Sequence, residues 1–255
     1  MISQKLLERT CKYYKKYKSK PFVVEPSLPI LFFGDIDAYA NSKIKIITVG
    51  KNPSDNEFRI KKTDPYSFCR FPTWNGSPHT LVDCLKPYFN RAPLKAWFSC
   101  YEPILNGADA SYYAGQFTNR SIHTDICSPL ATYPTWSGLK GSEKNLLLSE
   151  GSDLWSNLTE ELQPDIILAS IPRRQFESSF NGEPKILQTY EFKKDGTPRK
   201  KPYEVITKEY RLDSGKNSIA VWGMASNKPF DQISNCKRKQ IGVKILELVS
   251  NEKLH

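Results

Sequence analysis

The chain has 255 residues, 37 Lys and Arg against 27 Asp and Glu, a formal net charge of +10, and 39% hydrophobic residues. That length can bury a substantial core, and no apolar run is long enough for a bilayer-spanning helix, which excludes a helical membrane protein. The positive excess favours a polyanionic partner, nucleic acid first, with a generic basic surface as the plain alternative.

Residues 1–20 read as a helix with Leu6, Leu7, Cys11 and Tyr14 on one face. Within it, "CKYYKKYKSKPF" interleaves basic and aromatic side chains. Such interleaving suits phosphates and bases together, and it suits a solvated amphipathic helix equally well. This polar, basic start lacks the apolar core of a secretory signal, so a cytoplasmic protein is expected. The six cysteines, Cys11, Cys69, Cys84, Cys100, Cys127 and Cys236, form no C-x-x-C pair and read as reduced thiols, with no metal site expected.

The run "IKIITV", 44–49, is β-branched and, after Lys45, almost wholly apolar, as in a parallel strand buried on both faces. A helical region broken by Pro87 and Pro93 follows at 81–98. "SIHTDICSPL" reads as a second strand bounded by Pro129, and 142–162 as helical with a break at Gly151. "PDIILAS", 164–170, and "NSIAVWG", 217–223, are a third and a fourth strand. Between them two alternating runs flank Asp195-Gly196, a basic β-hairpin inserted at about 187–212. Its turn carries Lys193, Lys194, Arg199, Lys200 and Lys201, all expected in solvent. Residues 237–251 close the chain as an amphipathic helix with Ile241, Ile245, Leu246 and Val249 inward.

Strands alternating with helices predict an α/β fold, a three-layer sandwich around a central, mostly parallel four-stranded sheet, in a single domain over 1–255. Ligands of such open sheets bind beyond the carboxyl ends of the strands. Here the first strand ends in Gly50-Lys51-Asn52-Pro53-Ser54, and the second carries His123, Thr124 and Asp125. The third ends at Ser170 and Pro172, and the fourth runs into "GMASNKPF", 223–230. Each alone is also ordinary turn chemistry.

"VGKNPS" resembles the first motif of the uracil-DNA glycosylase superfamily, a Gly-x-Asn-Pro turn after the first core strand, in its mismatch-specific and single-strand-selective branches. The likeness extends over roughly 40–250 in strand order. The chain departs from the family at the second motif: "GMASNKPF" stands where His-Pro-Ser-Pro is usual. The resemblance implies a monofunctional DNA glycosylase that needs no cofactor, acts on DNA rather than at a membrane, and works as a monomer. Extrusion of the target nucleotide and an oxocarbenium-like transition state would call for an oriented water more than a strong base. Asn52 is the expected water-positioning residue, with Asp55 and Glu57 as alternative bases. Gly50, Pro53 and Ser54 would shape the base pocket, and the backbone of Gly223 to Ser226, or the side chains of Ser226 and Asn227, would replace the absent histidine. Phe68 and Phe71, with Tyr66 and Trp74 close by, are candidate stacking platforms or else core. Lys51 and Lys228 would contact DNA phosphates, as would the hairpin cations.

In the family it resembles, a residue on the second strand reads the pyrimidine edge, and placing "HTDICSPL" against that pattern puts Asp125 at or next to that position. An acceptor-only carboxylate suits the amine of cytosine and repels uracil O4; a structural strand-end Asp is the alternative. The polar Ser54-Asp55-Asn56 wall could admit hydroxymethyl- or glucosylated cytosine, and with it a role in defence against phages carrying modified DNA. Uracil stays open as a substrate. The competing readings are a non-catalytic nucleic-acid-binding module on the same fold and a nucleoside hydrolase, the latter disfavoured by the charge.

Overall fold

The computed structural model describes residues 2–224 and 228–252. The chain is an α/β protein. Its helices are α1 (Gln4–Tyr17), α2 (Ile36–Ala40), α3 (Pro78–Leu85), α4 (Lys95–Phe98), α5 (Glu102–Gly107), α6 (Gly141–Leu162), α7 (Arg173–Ser179) and α8 (Asn235–Glu252). Its strands are β1 (Ile46–Gly50), β2 (Ala110–Ser111), β3 (Asn119–Asp125), β4 (Ile166–Ala169), β5 (Lys185–Phe192), β6 (Pro198–Arg211) and β7 (Asn217–Gly223). They form one mixed sheet in the order β2-β3-β1-β4-β7-β6-β5. The residues gather into two compact units. The first is Met1–Asp37, Gly50–Leu94 and Ile122–Leu162; the second is Ala38–Val49, Lys95–Ser121 and Gln163–His255. Strands β1 and β3 begin in the second unit and end in the first.

In the second unit, β1, β4 and β7 run parallel, with Ile46 opposite Ile166 and Ile166 opposite Ile219. Every residue of β1 and β4 is buried. This is why these runs are continuously apolar rather than alternating. The four apolar runs are β1, β3, β4 and β7, but among the described residues the sheet has seven strands and not four. The inserted hairpin is β5 and β6, and it does not stand off the sheet. Residues Val205–Lys208 of β6 are buried, and β6 pairs antiparallel along β7 from Val205–Gly223 to Arg211–Asn217. Strand β2 has two residues, too few to show a period.

The hairpin turns at Asp195-Gly196 as its composition requires. Gly196 takes φ 83°, Asp195 Oδ1 accepts the Thr197 N–H at 3.0 Å, and the Lys193 N–H donates to the Thr197 carbonyl at 2.8 Å. Lys193, Lys194, Lys200 and Lys201 are exposed. Arg199 is half-buried rather than free in solvent: it donates to the Phe192 and Gln232 carbonyls and lies 5.5 Å over the Tyr203 ring. A planar guanidinium finds such partners readily, where a Lys ammonium stays hydrated. Helix α8 packs on α5, with Ile241, Ile245 and Val249 buried and Leu246 only half-buried.

In the first unit, α1 packs on α3 and α6. Ser3 caps α1 by accepting the Leu6 N–H at 3.2 Å. Tyr13 and Tyr17 are buried with Leu6, Leu7 and Cys11, Tyr14 is half-buried, and Lys12, Lys15 and Lys16 face solvent. The basic-aromatic stretch is therefore an amphipathic helix. Helix α6 runs unbroken through Gly151, where a Cβ would lie 2.2 Å from the Cys127 carbonyl oxygen. Close backbone contact, not a break, explains that glycine. All six cysteines are free thiols. Among the described residues no helix is long and apolar enough to cross a membrane.

Candidate active site

The first unit holds the residues around the end of β1. The backbone there is tied to the segment that follows β3: the Ile126 N–H donates to the Gly50 carbonyl at 3.1 Å, and the Cys127 N–H to the Lys51 carbonyl at 2.8 Å. A Cβ on Gly50 would lie 2.5 Å from Asp125 Oδ1 and 3.2 Å from His123 Nε2. Only glycine lets those two side chains settle over the strand end. His123 and Asp125 are buried, with Nε2 and Oδ1 3.7 Å apart. The His123 ring lies against Phe33, which in turn lies against Tyr88, at centroid distances of 5.8 and 4.3 Å.

Asn52 is half-buried, and its amide is oriented. Nδ2 donates to the Leu130 carbonyl at 3.1 Å and to Thr132 Oγ1 at 3.0 Å. A carbonyl accepts and cannot donate, so the amide nitrogen must face Leu130. Oδ1 is thereby turned away as an acceptor. Pro53 is buried. Ser54 caps the one-turn 3₁₀ helix Asp55–Phe58 by accepting the Asn56 N–H at 3.2 Å.

Asp55 and Glu57 occupy that turn in different surroundings. The Asp55 carboxylate is ion-paired with Arg59, accepts Tyr66 Oη at 3.3 Å, and accepts Ser54 Oγ at 3.2 Å. The Arg59 guanidinium also lies 5.0 Å over the Tyr66 ring. Asp55 thus ties the loop together. Glu57 is buried and accepts Tyr88 Oη at 2.8 Å. Burial pushes its pKa up to about 8, against the Tyr88 hydrogen bond and the nearby Arg70 charge, with Asp125 adding to the rise. At neutral pH Glu57 is therefore protonated, a donor rather than a base. Arg70, itself buried, fixes the turn through the Asn56 and Arg59 carbonyls at 2.8 and 2.6 Å.

Phe71 is no platform. It is fully buried, with Phe58 at 5.6 Å and Tyr88 stacked at 6.1 Å. Phe68 is half-buried with its ring 6.5 Å from Phe58, and Tyr66 and Trp74 are also half-buried. Lys51 is half-buried and donates from Nζ to Ser137 Oγ at 2.8 Å. In the second unit, Lys228 is exposed. Ser226 and Asn227 lie outside the described residues.

The structure thus brings Gly50, Asn52, Asp55, Glu57 and Asp125 into one unit, with Pro53 and Ser54 shaping the turn between them. Sequence reasoning did not assign roles to His123, Tyr88, Arg70 or Thr132. His123 carried a usable signal, sitting two residues before Asp125 on the same strand and so on the same face. The other three act through long-range contacts that no local pattern encodes. In comparisons with known proteins, no family model and no curated protein matches the chain.

Proposed function

We propose that this protein is a monofunctional DNA glycosylase of the uracil-DNA glycosylase superfamily, acting on a flipped-out pyrimidine, with cytosine or a modified cytosine favoured over uracil. The observation that carries the reading is the Asn52 amide. Its donor side is held by Leu130 and Thr132, which leaves Oδ1 to accept a hydrogen bond at the end of β1. An acceptor so fixed can orient a water toward the sugar C1′ while the glycosidic bond breaks. As that bond lengthens its electrons go to the base, which leaves as an anion, the sugar becomes oxocarbenium-like, and the water oxygen bonds C1′ while its proton passes through solvent to the departed base anion.

Asp125 and Glu57 support the choice of base. Asp125 is a buried carboxyl acceptor beside His123, and Glu57 is buried with its pKa raised to about 8, so the unit supplies both an acceptor and a protonated carboxyl donor. Cytosine offers an amine donor at N4 and an acceptor at N3, and a donor and acceptor of this kind complement that edge. Uracil reverses both. The polyanion is matched by the net charge of +10.

The test is single-turnover incubation with oligonucleotides carrying uracil, cytosine, hydroxymethylcytosine or glucosylated cytosine, followed by alkali to cleave abasic sites. Wild-type protein should produce strand breaks at a cytosine-type base. Asn52→Ala should lower the rate by at least about 10²-fold with DNA binding nearly intact. Binding without cleavage on every base would favour a non-catalytic DNA-binding module. Wild-type rates in the variant would move the water-positioning role away from Asn52.

A further inference from the structure

The loop that orients Asn52 carries a second feature, on residues that the chemistry above does not use. Thr132 holds the Asn52 amide and also forms β-bridges with Val23 and with Ser54, so the base of the loop is fixed. The next residue, Tyr133, is 62% exposed, with its backbone N–H donating to the Phe22 carbonyl at 3.0 Å. Four residues further on, two lysines converge on Ser137. Lys51 Nζ donates to its Oγ at 2.8 Å and Lys144 Nζ to its backbone carbonyl at 3.3 Å. Burial lowers the Lys51 pKa, and the Lys144 charge lowers it further, against an opposing effect of Cys127. The nearest acidic side chain in the sequence, Glu143, caps α6 by accepting the Lys140 N–H at 2.8 Å. Neither Lys51 nor Lys144 has an ion pair among the described residues.

Two ammonium groups brought to one serine without a carboxylate repel each other, and a shared anion relieves that repulsion. An exposed ring on the same loop offers a face to a base. We infer that Lys51 and Lys144 clamp a DNA backbone phosphate across Ser137, with Tyr133 stacking on a base beside the extruded nucleotide. The identity of the anion as a nucleotide-strand phosphate rests on the glycosylase reading. Lys51 is adjacent in sequence to Asn52, so the phosphate would belong to the target nucleotide or an immediate neighbour. Lysines act here as point charges, which suits a phosphate that carries no sequence information.

The experiment is fluorescence titration of a short labelled oligodeoxynucleotide, single-stranded and annealed, across salt from about 50 to 200 mM. Lys51→Gln and Lys144→Gln together should reduce the slope of log affinity against log salt by about 0.7 to 0.9, one phosphate's worth, and each change alone by part of that. Lys144→Arg should restore the slope, because the charge returns. Tyr133→Ala should weaken binding about ten-fold with the slope unchanged, since stacking releases no counterions. Wild-type slopes in both glutamine variants would overturn the clamp while leaving base release by the wild type standing. Absence of DNA binding by the wild type at any salt would overturn the clamp and the glycosylase reading together.

Discussion

Replacing Glu57 by Gln tests whether a buried carboxyl at the end of β1 is protonated. In the native chain burial raises its pKa from the ordinary 4.5 to about 8, against the Tyr88 hydrogen bond and Arg70, with Asp125 contributing in the same direction as burial. At 1.36 kcal/mol per unit, the whole shift amounts to about 5 kcal/mol, of which about 3 kcal/mol has accrued by neutral pH. The sign follows from proton counting. Between the two pKa values the native state holds a proton that the unfolded chain has lost, so the Glu57 contribution falls as pH rises and levels off above about 8. Glutamine keeps the shape and can accept the Tyr88 hydroxyl through its amide oxygen, but does not titrate.

Urea unfolding of both proteins from about pH 4 to 9 separates this residue from the rest, because titrations shared by both cancel in the difference. Glu57→Gln should match the wild type near the acid end, within a small offset, and gain on it steadily toward pH 8. Base release by the wild type should also decline as pH passes about 8, because the carboxyl donor is then lost. A difference that stays flat, or a Glu57 carboxyl carbon titrating near 4.5 by NMR, would refute the reasoning. Glu57 would then be ionised at neutral pH and available as a base.

Asp125→Asn keeps the shape and exchanges one acceptor for a donor. Losing a charge-assisted bond costs about 1.5–3 kcal/mol, so single-turnover rates on cytosine-type substrates should fall at least about ten-fold, with any gain on uracil; equal loss on every base would make Asp125 structural. Neutralising the exposed hairpin residues Lys193, Lys194, Lys200 and Lys201 should weaken DNA binding and flatten its salt dependence without changing base choice. An unchanged slope would leave the hairpin as a solvated extension of the sheet. Arg199 is left out of that set because its partners in the fold would make its loss a stability effect.

The strands were legible because β-branched runs such as Ile46–Val49 and Ile166–Ala169 have no other good solution than a buried sheet. The Asp195-Gly196 turn was legible for an equally local reason, the need for a residue that accepts positive φ. Where β6 goes was not. Its buried half, Val205–Lys208, shows no alternation, and its pairing partner β7 comes after it in the chain. Gly151 misled because a glycine inside a helix reads as a break, and only the neighbouring Cys127 carbonyl reveals that it is a contact. Phe71 took the core alternative, and the choice was open because no local pattern distinguishes an aromatic facing a pocket from one stacked on Tyr88.

The polar residues after β1 could not form this arrangement from their own sequence. Gly50, Lys51 and Asn52 are set by one partner segment, 126–137, which leaves β3 and lies along the turn. Its backbone N–H groups at Ile126 and Cys127 pair with Gly50 and Lys51. Its Leu130 carbonyl and Thr132 hydroxyl choose the face of the Asn52 amide. Its Ser137 gathers Lys51 and Lys144. An aspartate at position 52 would set a carboxylate oxygen against the Leu130 carbonyl and could not donate to it, so the neighbourhood itself selects the amide. Orientation by backbone and hydroxyl groups on a bridged loop needs no reorganisation when a ligand arrives. That is the property a water-positioning residue requires, and here it comes from the long-range pairing of two loops rather than from the Gly-x-Asn-Pro turn alone.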